Sequence, residues 1–177
     1  MNKFLTPVSK EHFEKKVKIR FNNISDGFNN YNNKTIEGNE EEFISFIEQA
    51  FEINGEENSY VDFYYNLLQE EDKKRLKDLI TEEDREILKD FEEGYKEKNI
   101  YFRLTKESIP FITRLCTREI LFSTIYFTEY SCTIWGNYNK SFPIFYNDEK
   151  DMEVYLNIAK VCKNLFKLTY CQAKCNS

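Results

Sequence analysis

The sequence predicts an α+β fold: an acidic, helical amino-terminal half followed by a mainly antiparallel sheet, in the order β-α-β-β-β-α, with helices packed on it. Three observations lead there. Apolar residues recur at helical spacing from Glu40 to Tyr95, the period shortens to that of strands after Asn99, and a helical stripe returns near Asp148. Strands gathered in the second half, after a run of helices, favour an antiparallel sheet with helices on one face. A length of 177 residues places one domain over residues 1–177, and 41% hydrophobic and 32% charged residues exclude a disordered chain.

Each element has a local reason. Residues 10–21 open as a helix behind Ser9, a suitable N-cap, and end in the strand-like alternation Val17, Ile19, Phe21. Residues 22–39, with seven Asn and two Gly, read as a long mobile loop. From Glu40, Phe43, Ile47, Ala50 and Phe51 share a helical face that Asn54-Gly55 closes. The segment YVDFYYNLL is apolar almost all round, and the spacing of Tyr60, Tyr64, Leu67 and Leu68 predicts a buried helix. Leu76, Leu79 and Ile80 mark a second short piece; Thr81 with Asp84 resembles a capping box for a helix striped by Ile87, Leu88, Phe91 and Tyr95.

Past Asn99, IYFRLT predicts a strand, and SIPFITRLCTR a helix capped by Ser108 with Pro110 in its first turn. EILFSTIYFT, β-branched and aromatic, predicts a central strand. CTIWG and SFPIFY flank the turn residues GNYNK as a hairpin, and Pro143 places the last strand at an edge or makes it irregular. The closing helix starts near Asp148 and turns Val154, Tyr155, Ile158, Val161, Cys162 and Leu165 inward, with acids at its start and Lys160, Lys163 and Lys167 at its end.

Composition narrows the chemistry. The chain carries a net charge of −6, but residues 37–97 alone carry −14 and the remainder +8. A cytoplasmic location is expected, because the first residues lack a signal-peptide core, no run spans a bilayer and five cysteines form an odd set of thiols. Asn-x-Ser/Thr triplets at Asn23, Asn33 and Asn139 are chance matches on that reading. The one histidine, His12, reads as a solvated helix-face residue and excludes two-histidine metal motifs; five glycines cannot build a phosphate-binding loop. Cys162, Cys171 and Cys175 lack paired zinc-site spacing, so no metal and no cofactor are expected. Arg103, Arg114, Arg118 and Glu129 are weighed as a binding or acid/base group against ordinary surface ion pairs.

Two features point to a partner. Glu82, Glu83, Glu86, Glu92 and Glu93 crowd one helix, whose ordinary role is a solvated face and whose functional role is docking on a basic protein surface. The hairpin concentrates Tyr130, Trp135, Tyr138, Phe142, Phe145 and Tyr146, more rings than one face of two strands can bury. Tyr130, Trp135 and Tyr138 are the expected contact residues. The leading expectation is a non-enzymatic binding or regulatory protein, of inhibitor or immunity type, engaging a basic macromolecule through these features. Direct nucleic-acid or membrane binding is not expected. The alternatives are a small enzyme using carboxylates and arginines in a pocket, and a self-assembling subunit.

Overall fold

The computed structural model describes residues 4–95 and 97–162. In chain order these form β1 (Thr6–Pro7), α1 (Lys10–Lys16), α2 (Ile24–Asn30), β2 (Asn32–Glu37), α3 (Glu40–Asn54), β3 (Ser59–Asp62), α4 (Glu70–Leu79), α5 (Glu82–Gly94), β4 (Tyr101–Arg103), α6 (Ser108–Thr117), β5 (Thr124–Phe127), β6 (Cys132–Trp135), β7 (Ser141–Tyr146) and α7 (Glu149–Val161). All pairings are antiparallel, in the order β1-β4-β3-β5-β6-β7-β2. The α+β class stands, although the helix-rich first half also contributes β1, β2 and β3.

Helices cover both faces of the sheet, not one. Val61, Phe102, Ile125, Ile134 and Ile144 point into the larger core with Phe43 and Ile47 of α3, Phe91 of α5, Phe111 and Ile112 of α6 and Tyr155 of α7. Alternate strand residues point the other way, where Phe13 of α1 stacks on Tyr101 at 3.9 Å and meets Tyr126 edge-on at 5.0 Å. Farther along that face, Phe21 and Phe28 pack on Phe145. With both faces covered, all four residues of β5 are buried, as its apolar run predicts for a central strand.

The same double cover explains the principal corrections. The segment 60–68 is not a helix but β3 followed by a single 3-10 turn, because a strand buried on both sides is also apolar all round. Residues 22–39 are not a loop. Asn23 caps α2 by accepting from the Asp26 amide at 3.0 Å, and β2 pairs in register with β7 from Asn32–Tyr146 to Glu37–Ser141. Residues 17–21 are not a ladder strand; Val17 and Ile19 are buried, and Ile19 gives its carbonyl to Thr133 Oγ1 at 2.6 Å.

Pro143 does not mark an edge. β7 lies between β6 and β2, and the β6 ladder ends at Ile134–Ile144, one residue short of Pro143, so its missing N–H removes no bond there. Ser108 is the first residue of α6 and not its cap, exchanging hydrogen bonds with Thr105. Val161, expected on the inner face of α7, is 70% exposed, and Leu165, Lys163 and Lys167 lie outside the described residues. α3 follows its sequence signals closely: Asn39 and Glu42 form a reciprocal capping box at 2.9 and 2.7 Å, and Gly55 ends it at φ 78°.

Candidate functional site

One line of residues across the sheet builds a recess on the α1 face. Tyr101 of β4 sits opposite Asp62 of β3, continuing the β3–β5 register by one residue brings Thr124 beside Asp62, and Thr124 sits opposite Trp135 of β6. With strands about 4.8 Å apart, the backbones bearing Tyr101 and Trp135 are separated by roughly 14 Å. Asp62 and Thr124 lie between these two aromatic walls.

Each wall is braced from behind. Phe13 stacks on Tyr101, and Phe21 stacks on Trp135 at 5.3 Å, fixing both rings. Two recesses adjoin here, one of about 330 Å³ bordered by α1 and residues 20–22, the other of about 280 Å³ bordered by Phe122 and Tyr138. Asp62, Tyr64 and Trp135 line both. The rim of the first carries Lys10 and Glu14, 3.9 Å apart, and Arg20, which donates to the Val17 carbonyl at 2.7 Å.

Asp62 is only 3% exposed. Its Oδ1 accepts from the Thr124 amide at 2.5 Å and its Oδ2 from the Tyr126 hydroxyl at 3.0 Å. Burial pushes its carboxyl up to about 6, against the opposing pull of these donors. Among the described residues no lysine or arginine forms an ion pair with it. Burial also raises the phenols of Tyr64, Tyr101 and Tyr126, so each keeps its proton at neutral pH.

The structure brings some of the expected partner-binding residues to this site and leaves others elsewhere. Trp135 is half-buried in the shared wall, and Tyr138, 59% exposed, packs edge-on against Phe122 at 4.8 Å. Tyr130 lies beyond the opposite end of β6, its carbonyl accepting from the Tyr155 hydroxyl. Phe142, Phe145 and Tyr146 are buried. Glu82, Glu83, Glu86 and Glu93 are exposed on α5, with Glu82 paired to Arg85 at 2.8 Å. Glu92 is half-buried and accepts from Tyr65 at 2.5 Å and Lys77 at 2.8 Å; burial pushes its carboxyl up, but Lys77 and Tyr65 outweigh that and hold it below the usual range. α5 packs on the face opposite the recess.

Arg114 and Arg118 lie one turn apart at the end of α6 and both act on Glu40, while Arg103 and Glu129 stand apart from them. Arg103 pairs with Glu57, Arg114 with Asp84 and Arg118 with Glu40, while Glu129 stands exposed in the turn before β6. His12 is half-buried with its ring against Tyr60, rather than free on a solvated face. Cys116 and Cys132 are buried, Cys162 accepts from Gln49 Nε2 at 2.6 Å, and Cys171 and Cys175 lie outside the described residues. Among the described residues no three acids, cysteines or histidines are grouped to hold a metal ion, and no helix is long and apolar enough to cross a membrane.

Asp62 itself was hidden in the sequence by the helical reading of its segment. Its signal was there: one acid inside YVDFYYNLL, flanked on both sides by rings. The chain matches no protein family, no curated protein and no solved structure.

Proposed function

We propose that this chain is a binding protein that engages a macromolecular partner, with the recess over Asp62 as its point of recognition. The observation that carries the reading is that Trp135 and Tyr138 wall an open recess whose floor holds a buried carboxylate. Braced aromatic rings around a few convergent polar groups are what ligand sites and interface hot spots use. The acidic helices α3 and α5 lie on the other face and contribute a field that attracts a basic partner, a contribution that salt screens beyond about 10 Å.

Capture from host extract at low salt, followed by salt elution, tests this reading. Tyr138→Ala, an exposed position, and Trp135→Leu should each reduce recovery of the captured protein at least about tenfold by removing hot-spot rings. Equal recovery by both variants and the parent sinks the recess as the recognition point.

A second reading rests on the same residue. A carboxyl raised to about 6 in a recess is poised for general acid/base work near neutral pH, as in a small enzyme. Turnover of a bound small molecule that disappears in Asp62→Asn while binding persists would favour catalysis over recognition alone.

A further inference from the structure

We infer that the recess takes a single positively charged nitrogen group, an alkylammonium or a guanidinium on a short stem, seated on Asp62 between Tyr101 and Trp135; the inference rests on the recess being a binding site. Three observations converge on this charge. Asp62 has hydrogen-bond donors, the Thr124 amide and the Tyr126 hydroxyl with further help from the Thr124 and Tyr64 hydroxyls, but among the described residues no ion-pair partner, so neutral dipoles alone answer its charge. An incoming anion would meet that carboxylate at close range in a desolvated setting, and a neutral ligand would leave it uncompensated. A cation answers the desolvation with a charge-assisted bond.

The walls supply the second argument. Tyr101 and Trp135 have one ring face packed against Phe13 and Phe21, and both rings line the recess that Asp62 floors. Faces of Tyr and Trp attract cations, Trp most strongly, and desolvation increases the attraction. The rim supplies the third. Lys10 pairs with Glu14 at 3.9 Å, whereas Arg20 forms no ion pair among the described residues, and Tyr101 feels both Glu14, which raises its pKa, and Arg20, which lowers it. A second positive group on the ligand would meet that guanidinium, so the site favours one charge. A volume of about 330 Å³ is at the small end for ligand pockets and suits a side-chain-sized group.

Trp135 is the only tryptophan of the chain and lines both adjoining recesses, so its fluorescence reports binding at the Asp62 site from either side. The probes are butylammonium, butylguanidinium and the neutral isostere butylurea, titrated into the full-length protein at pH 7.5. The expected result is a saturable change with the two cations, at least about tenfold weaker with butylurea and at least about tenfold weaker for butylguanidinium in Asp62→Asn. Tyr101→Leu, which keeps the carboxylate, should weaken butylguanidinium about threefold to tenfold. The wild-type comparison with butylurea needs no variant to fold.

Equal binding of butylurea and butylguanidinium, or full retention in a folded Asp62→Asn, overturns the charge assignment while leaving the recess a binding site. No saturable response to any probe overturns it as well, and the binding-protein reading then stands or falls on the capture experiment. A lysine-bearing tripeptide with blocked ends distinguishes the two sources of such a cation. Tighter binding of the tripeptide than of butylammonium assigns the group to a partner protein's side chain, and weaker binding assigns it to a free small molecule.

Discussion

At Asp62, desolvation opposes the charged form of a carboxyl group, raising its pKa from 3.8 to about 6. The sign of the linkage follows. A carboxyl that holds its proton more tightly when folded contributes stability that is full below pH 3.8 and lost as pH rises through 6. The groups around it are Tyr126 and Thr124 on β5, Tyr64 after β3, Tyr101 on β4, and Lys10, Glu14 and Arg20 at the rim. Asp62→Asn should therefore melt higher than the parent at pH 7.5, and the difference should shrink or reverse at pH 4. The shift corresponds to about 3 kcal/mol, and the amide's poorer acceptance from the surrounding donors leaves an expected gain of about 1–2 kcal/mol. Differential melting of the two proteins across pH isolates this group from carboxyls such as Glu40, which Arg118 holds below the usual range. An unchanged difference from pH 4 to 7.5 would show that Asp62 is not held against its charge.

At the scale of elements, α5 and α6 are joined by a buried ion pair. Arg114 of α6 reaches Asp84 of α5 with Nη2 at 2.5 Å and Nε at 3.0 and 3.1 Å, and the Asp84 side chain is 1% exposed. Removing one partner strands the other in a dry place. Arg114→Leu should lower unfolding stability by about 3–5 kcal/mol, whereas Arg114→Leu combined with Asp84→Leu should recover a large part of the loss. Urea titrations of the parent, the single variants and the double variant measure this, and additive losses would mean that the pair is not coupled. Thr81 and Asp84 were legible as a cap, and the Thr81 hydroxyl does accept from the Asp84 amide at 3.2 Å. The carboxylate is used elsewhere, since its partner lies 30 residues on and local spacing carries no trace of it. α3, α7 and the β6–β7 hairpin were legible for the opposite reason: caps, stripe and turn residues all act within a few positions. Local signals fail over 22–39 and 60–68 because Asn-rich β2 owes its pairing to β7 and β3 is covered on two sides.

Over the whole molecule, charge and recess occupy opposite faces of the sheet, so on the proposed reading they act on different stages of association. Reversal of Glu82, Glu83, Glu86 and Glu93 to Lys should slow capture of a basic partner at low salt several-fold and leave its dissociation rate nearly unchanged; Glu92 is spared because it is bonded to Tyr65 and Lys77. Association and dissociation rates by surface plasmon resonance at two salt concentrations check this, and a change confined to dissociation would place α5 in the contact itself. The sequence by itself determined the α+β class, most of the helices, the central position of β5 and the confinement of negative charge to residues 37–97, because propensity, periodicity and composition are local quantities. Tertiary structure alone decided that a second helical layer covers the sheet, and that Tyr101, Asp62, Thr124 and Trp135, spread over more than seventy positions, fall on one line across four strands. Strand order and register set that line, and both are fixed by which surfaces bury one another.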